Sequence, residues 1–457
     1  MVDKVREVAL KVLYNIEVNK AYSNITLDEE INKNMKILDN RDIGFISELT
    51  YGVITWKLTI DEIIKKYSNL RLKKISPWIL NILRMGIYQI VFLNKVPKSA
   101  AVNESVNLAK RYGHKGSSNF VNAILRKVSK NDYEEMFNIE NNVERISKTT
   151  SMPVWIVETL LKENTLEKVE EICKNSNLKP ELSIRVNNLK TSKEELKKKL
   201  EEKDIKVENG VLEDFLILKN AKNIENIEEF KNGFFTVQDE AAGLTAKILN
   251  PQINDTVLDA CSSPGGKTTY LAEIMKDKGE VIAFDIHPHR VKLVEQVSKR
   301  LNLKSIKTDV KDSSIYDEKY KEKFDKILLD VPCLGLGVLK RKPDIKWQRK
   351  KEDIKEISKI QKQILDTCSK YLKKGGALVY STCSILKEEN EDVVNEFLEE
   401  NENFEMEKIE LEENNYFKKF CKNNKFLQVY QSEKSDGFFI CKMIKKQQKQ
   451  HKNLHKI

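Results

Sequence analysis

The sequence predicts a multidomain chain: an all-α domain, then a small α+β domain, then an α/β domain with a mostly parallel sheet. Three observations carry that prediction. Residues 1–135 are rich in apolar positions spaced three and four apart. Between 136 and 235, short strand-like and helix-like stretches mix. From 236 to 445, apolar runs of strand length alternate with periodic runs of helix length, the pattern of a sheet covered on both faces. At 457 residues the chain has room for about three domains, each with its own core.

In the first domain, Val5, Val8, Ala9, Val12, Leu13 and Ile16 form one apolar stripe. Ser76–Leu93 is denser and reads as a buried helix with Pro77 near its start. The next helix takes Ser99 as its N-cap and stops at Gly113. Phe120, Val121, Ile124, Leu125 and Val128 share one side of a further helix. In the middle domain "LSIRVNNLKTSKEELKKKLEEKDIKV" reads strand, turn, charged helix, strand. Its run Lys193–Lys203 is a solvated helix face. "GFFTVQDEAAGLTAKIL" reads as a strand entering a helix. Strands are predicted in the third domain at 256–260, 280–286, 305–310, 324–331, 375–383 and 437–444. Residues 446–457 hold Lys446, Lys449, Lys452 and Lys456 among few apolar residues and are expected to be a disordered basic tail.

Composition removes several classes of protein. The formal net charge of +10 suits an anionic partner such as RNA, and equally a merely soluble protein. No apolar run reaches the roughly 18 residues that a membrane span needs. The opening "MVDKVREVALKVLYNI" holds two acidic residues among its first seven and no small-residue cleavage site, unlike a signal peptide. Seven cysteines without a C-x-x-C pair imply reduced thiols in a cytoplasmic protein, with neither a disulfide framework nor a zinc site.

The stretch "DACSSPGGKTTYL", from Asp259 to Leu271, ends in a Gly-Lys-Thr like that of a phosphate-binding loop. Such a loop needs glycine where Cys261 stands, and Pro264 removes one N–H from the cradle. An NTPase is therefore a poor reading. The strands instead end in acids: Asp259, Asp285, Asp309 and Asp330. Four carboxylates would repel a pyrophosphate, but they suit a nucleoside carrying hydroxyls, an amino group and a positive centre. Asp285 lies 26 residues after Asp259, about where a dinucleotide-type fold puts its ribose-binding acid. Gly265 and Gly266 let the backbone approach a ligand. S-adenosylmethionine, a nucleoside with a sulfonium and no phosphate, fits that set. Any one of these acids could equally cap the helix that follows it.

Two further strand ends carry cysteine, in "LLDVPCLGLG" (Cys333) and "LVYSTCSILKEENE" (Cys383). The other five cysteines read as small core residues. His287 and His289, flanking Pro288, read as surface residues. A thiol beside a methyl donor suits carbon 5 of a pyrimidine. Addition of a thiolate to carbon 6 makes carbon 5 nucleophilic. Asp330 is suited to stabilise the adduct near N3. The thiol must have its pKa lowered, for which Lys267, Lys340, Arg341 and Lys342 are candidate helpers. From the residues alone, either cysteine could be the nucleophile. A non-catalytic RNA-binding protein with a degenerate nucleotide platform is the alternative.

"LDACSSPGGKT", "DVPCLGLGVLKRKPDIKW" and "LVYSTCSILKEENEDVV" together resemble the bacterial 16S ribosomal RNA cytosine-5 methyltransferases of the RsmB (Sun/Fmu) family. The resemblance covers nearly the whole chain. It implies a NusB-like helical RNA-binding domain at 1–135, a middle domain at 136–235 and a Rossmann-like methyltransferase domain at 236–445. Cys261, Ser262, Ser263, Pro264, Gly265, Gly266 and Lys267, with Asp285, Asp309 and Asp330, are implied to bind S-adenosylmethionine. Cys383 is implied to be the nucleophile and Cys333 to assist product release, with Asp330 the third catalytic residue. Relatives commonly carry alanines where this chain has Ser262 and Ser263, small changes with no expected loss of binding. The implied partner is RNA, either 16S rRNA or a small-subunit assembly intermediate. DNA, membrane and metal are not expected, and the protein is expected to be a monomer.

Overall fold

The structure is a computed structural model that describes residues 2–412, 415–423 and 425–447. Those residues form two compact units: 2–177 with 339–349, and 178–338 with the described residues from 350 to 447.

The first unit is helical. Helices Lys4–Asn19, Asn40–Thr55, Lys57–Tyr67, Pro77–Phe92, Lys98–Tyr112 and Lys115–Lys127 share one apolar core. Val8, Ala9, Val12 and Leu13 of the predicted stripe are buried in it, and Val5 and Ile16 pack at its margin. Pro77 occupies the first helical turn, where its missing N–H goes unnoticed, and Ser76 caps that turn. The cap predicted at Ser99 is corrected: Pro97 holds the cap position and Ser99 lies within the first turn. Proline fixes an extended approach that a helix can follow directly. Gly113 does end the helix.

Helices Asn142–Thr150, Val154–Leu161 and Leu166–Asn175 also belong to this unit, so it runs past the boundary expected near 135. The Thr59 hydroxyl donates to the Lys148 carbonyl at 2.6 Å, and Tyr133 donates to that of Thr149 at 2.9 Å. The stretch 339–349 joins the unit from far along the chain. Trp347 Nε1 donates to Ile54 O at 2.7 Å and Lys346 Nζ donates to Thr55 O at 2.8 Å. Those carbonyls end the helix Asn40–Thr55 and have no partner within it. The Lys340–Lys342 run belongs to this same stretch.

The second unit holds two sheets. The smaller comprises β1 (Leu182–Val186), β2 (Val207–Asn209), β3 (Phe215–Leu218) and β4 (Phe235–Val237) in the antiparallel order β2-β3-β1-β4. The charged helix Lys193–Glu201 covers it with Leu196 and Leu200 and leaves its lysines outward.

The larger sheet begins with β5 (Thr256–Asp259), β6 (Glu280–Asp285), β7 (Ile306–Val310), β8 (Phe324–Asp330) and β9 (Leu372–Thr382). It is completed by β10 (Phe404–Met406), β11 (Cys421–Lys422), β12 (Phe426–Val429) and β13 (Phe438–Lys445). The path is β11-β12-β13-β9-β8-β5-β6-β7, with β10 beside β13. Neighbours from β9 to β7 are parallel, and β13 lies antiparallel to β9. All six predicted strands are present. The three added ones are two to four residues long, too short to leave a pattern in the sequence.

Both faces of the central strands are buried, so β5, β6 and β8 read as mainly apolar runs, while the edge strand β7 is largely exposed. Val257, Leu328, Val379 and Ile440 face one core with Leu244 and Leu271. Leu258, Leu329, Leu378 and Phe439 face the other with Leu365 and Phe397. Lys446, where the tail was expected to start, still donates its N–H to Asn403 O at 2.8 Å. The rest of that tail, from 448 on, lies outside the described residues.

Candidate active site

The order of strands reverses between β5 and β8, and ligands of such sheets bind beyond the carboxyl strand ends at that switch point. The turn after β5 occupies it. The Ser262 N–H and hydroxyl both donate to Phe284 O, at 2.8 and 2.9 Å, folding the turn toward β6. The Gly265 N–H closes it on Ser262 O at 2.8 Å. Ser263 and Pro264 span its outer part through a cis peptide bond. Gly265 has φ +107°, and a Cβ there would stand 3.1 Å from Val294 Cα, so glycine is required. Gly266 then opens the helix Gly266–Ile274. Cys261 is half-buried and packs on the apolar core beneath the sheet.

The four strand-end acids divide by environment. Asp259 is 1% exposed and accepts the Thr268 hydroxyl at 2.7 Å. Burial pushes its carboxyl up to about 7 against that hydrogen bond. It braces the turn from below through Thr268 and does not cap the helix, whose N-cap Gly265 takes no side-chain hydrogen bond. Asp285 is 7% exposed and accepts the His287 N–H at 3.0 Å. Asp309 is exposed, with the Tyr320 hydroxyl at 3.4 Å. Asp330 is bound at both oxygens: Lys267 Nζ donates at 2.7 Å to one and the Ser381 hydroxyl donates at 3.1 Å to the other. Burial disfavours the Lys267 ammonium, but Asp330 outweighs it and holds that group above its ordinary value. His287 and His289 are exposed, as read from the sequence.

The two cysteines meet. Cys333 follows β8, Cys383 follows β9, and their sulfurs are 2.9 Å apart. Both side chains are half-buried. The hydrogen bond with Cys383 pushes the Cys333 thiol well up, helped by burial and by the charges of Glu389 and Asp330. Two sulfurs this close resist ionising together, so the pair retains at least one proton.

Backbone contacts hold the two loops together. The Gly337 N–H donates to Cys383 O at 2.8 Å, and the Gly437 N–H donates to Gly337 O at 2.8 Å. A Cβ on Gly337 would lie 2.1 Å from Gly437 O, so only glycine allows this approach. The Gln431 amide donates to Leu336 O at 2.6 Å from the same side.

Sequence reasoning missed three contributors. Arg185, in β1, is fully buried. It donates to both oxygens of Glu273 at 3.1 and 2.8 Å, to Gly266 O at 2.7 Å and to Gln238. Its guanidinium also stacks 4.4 Å from the Tyr270 ring centre. The smaller sheet thus holds the helix that begins at the glycine turn. An arginine between Ile184 and Val186 in a buried strand was the signal, since arginine is almost never fully buried unless paired. Ile286, just past β6, and Val310, the last residue of β7, are apolar side chains 52% and 48% exposed at the carboxyl strand ends. With Asp285 and the glycine turn they fit a nucleoside, which offers flat rings and a hydroxylated sugar. No signal in the sequence separated them from core residues.

A doubly wound sheet with a glycine turn at its switch point and two thiols on the same edge defines an α/β protein whose ligand edge carries paired cysteines. Comparison with known proteins makes the class specific. Residues 246–444 match the 16S rRNA methyltransferase RsmB/F family, 152–225 the ferredoxin-like domain of RsmF/B-like methyltransferases, and 3–130 the NusB family. The probable ribosomal RNA small subunit methyltransferase B of Bacillus subtilis is 37% identical over 97% of this chain and 99% of its own. Ribosomal RNA small subunit methyltransferase B of Shewanella oneidensis is 33% identical over 86% of this chain and 89% of its own. Among solved structures, PH0851 superposes with TM-score 0.80 at 25% identity, covering 97% of this chain and 100% of its own. NSun6 from Pyrococcus horikoshii, solved with SFG, shares the fold with TM-score 0.57 at 23% identity over 65% of this chain and 98% of its own. The chain belongs to the 16S rRNA methyltransferase RsmB/F family.

Proposed function

We propose that this chain transfers a methyl group from S-adenosylmethionine to carbon 5 of a cytosine in 16S ribosomal RNA, through a covalent bond between Cys383 and carbon 6. The observation that carries the reading is the 2.9 Å approach of two thiols from adjacent parallel strands. They lie on the sheet edge that also bears the glycine turn. The names of the relatives supply the rRNA, and the SFG bound to NSun6, an analogue of S-adenosylmethionine, supports the cofactor.

When bound, S-adenosylmethionine supplies an electrophilic methyl on a sulfonium. The turn 261–267, Asp285 and Asp309, with the exposed apolar side chains of Ile286 and Val310, would hold it. The Cys383 thiolate adds to carbon 6 of the pyrimidine, and the electron pair moves toward carbon 5 and N3. Asp330 must carry a proton when the base binds, and donates it toward the ring nitrogen where that charge gathers. Carbon 5 takes the methyl group. Its proton then passes to water as the Cys383–carbon 6 bond breaks, the C–H electron pair restoring the ring double bond and the thiolate departing with the C–S pair. Cys333 assists that elimination. The NusB-like helical unit contributes RNA contacts, and a partly assembled small subunit is a candidate substrate alongside naked rRNA. The target base must leave its stack to reach the sulfurs.

Covalent trapping tests the assignment. Cys333→Ala should leave an RNA–protein adduct that survives a denaturing gel. Cys383→Ala should abolish both the adduct and the methylation, a loss of more than about a thousandfold. Normal methylation by Cys383→Ala would overturn the roles.

A further inference from the structure

Neither the cofactor turn nor the chemistry above uses Glu389, although its carboxylate is completely buried. It ends the short turn Lys387–Glu389. One oxygen accepts the Leu334 N–H at 2.8 Å and the Gln361 amide at 3.2 Å. The other accepts the Ser384 hydroxyl. Its own carbonyl accepts the Tyr380 hydroxyl at 2.7 Å, which ties the turn to β9. Leu334 follows Cys333 and Ser384 follows Cys383, so one side chain grips the residue after each sulfur. Gln361 extends the grip by donating to Pro332 O at 2.9 Å, just before Cys333. The neighbouring Asn390 accepts the Thr382 hydroxyl and donates to Ser384 O at 3.2 Å, fixing the other side of the Cys383 loop.

We infer that Glu389 is a positioning residue: its carboxylate clamps the Cys333 and Cys383 loops and sets the separation of the two sulfurs. The residue type follows from the donors that converge there. A main-chain N–H, a side-chain amide and a hydroxyl all point at one group, and only an ionised carboxylate accepts at both oxygens without adding a donor. An amide of the same shape turns one end into a donor and satisfies part of the set. An apolar residue satisfies none, and buried donors left without a partner will move to find one. The inference rests on the thiol chemistry proposed above for its consequence in catalysis, but the sulfur separation can be measured without that chemistry.

Diamide measures it in the intact protein with neither RNA nor methyl donor present. The reagent takes one hydrogen from each thiol, its N=N bond becoming a hydrazine as the S–S bond forms. Mass spectrometry then follows the peptides linked through Cys333 and Cys383. Linking should slow by about tenfold or more in Glu389→Ala and less in Glu389→Gln. Over the same pair, kcat for methylation should fall by about a hundredfold in the alanine variant, the scale of a misplacement of roughly 1 Å, and recover in part with glutamine. Affinity for S-adenosylmethionine, measured by calorimetry, should stay within about twofold of the parent, because the cofactor turn is built elsewhere. Wild-type linking and kcat in a folded Glu389→Ala protein would overturn the inference. Should that variant not fold, wild-type values in Glu389→Gln overturn it equally. Slower linking in Glu389→Ala, together with no RNA adduct in Cys333→Ala and no cytosine methylation by the parent, would sustain the clamp and remove the cytosine chemistry instead.

Discussion

The two halves of the carboxyl edge of the large sheet are built by opposite means. Around β5, β6 and β7 the site is made of backbone and of residues close in sequence. Ser262 closes on Gly265, Thr268 on Asp259, and Asp285 on His287. Around β8 and β9 the site is two sulfurs held by distant groups. Gly337 meets Gly437, Gln431 reaches Leu336, and Glu389 joins Leu334 to Ser384. The difference follows from what each half must do. A nucleoside presents many hydrogen-bonding groups, and main-chain amides in a short turn can meet them. A thiol pair has no local motif that sets its spacing, so the spacing must come from tertiary contacts.

The exception on the first half is Arg185, and it gives the largest expected effect on stability. Arg185→Met leaves Glu273 buried without its partner and should lower the unfolding free energy by about 3–5 kcal/mol, read from urea denaturation. The double variant Arg185→Met, Glu273→Leu should recover much of that loss while S-adenosylmethionine binding stays weakened. Full recovery of binding would mean that the clamp on Gly266 O does not position the turn. Next, on the thiol half, Gly337→Ala should cost about 1–3 kcal/mol, because its Cβ would meet the Gly437 carbonyl at 2.1 Å and neither backbone can yield. Methylation should fall further than stability does, since Cys383 O bonds the same residue.

Smaller effects sharpen the view that local geometry governs the cofactor half. Gly265→Ala forces a side chain into φ +107° and should cost about 1–2 kcal/mol. Gly266→Ala meets nothing nearer than 3.7 Å and should change stability by less than about 0.5 kcal/mol. Equal losses from the two would break the argument for the turn. The mildest effect is a pH dependence. Asp259 titrates at about 7 when folded, against 3.8 ordinarily. Across that window the folded chain keeps a proton that the unfolded chain has lost. Stability conferred by the protonated carboxyl is complete below 3.8 and fades as pH rises toward 7. In Asp259→Asn, Tm should decline less over the same range. Parallel Tm profiles for the two proteins would show that the buried carboxyl does not behave this way.

Much of this protein was legible before its coordinates. Strand ends carry their acids and cysteines in the open, because a parallel sheet buried on both faces gives long apolar runs that stop where the chemistry starts. The six main strands and the helical stripes were therefore readable, as were Cys333, Cys383 and the turn 261–267. Short antiparallel strands such as β11 were not, because two residues carry no period. The helical unit extended past 135 because hydrogen bonds such as Thr59 to Lys148, not composition, decide where a unit ends.

The sequence by itself determined the fold class, the glycine turn and the presence of two thiols on one sheet edge. Periodicity and strand-end chemistry are local properties of a chain. The separation of those thiols, the grip of Glu389 on both loops, the support of Arg185 under the turn and the capping of a distant helix by Lys346 and Trp347 were decided only by tertiary structure. Each joins residues tens to hundreds of positions apart, and no short-range pattern in a single chain records a contact that only folding creates.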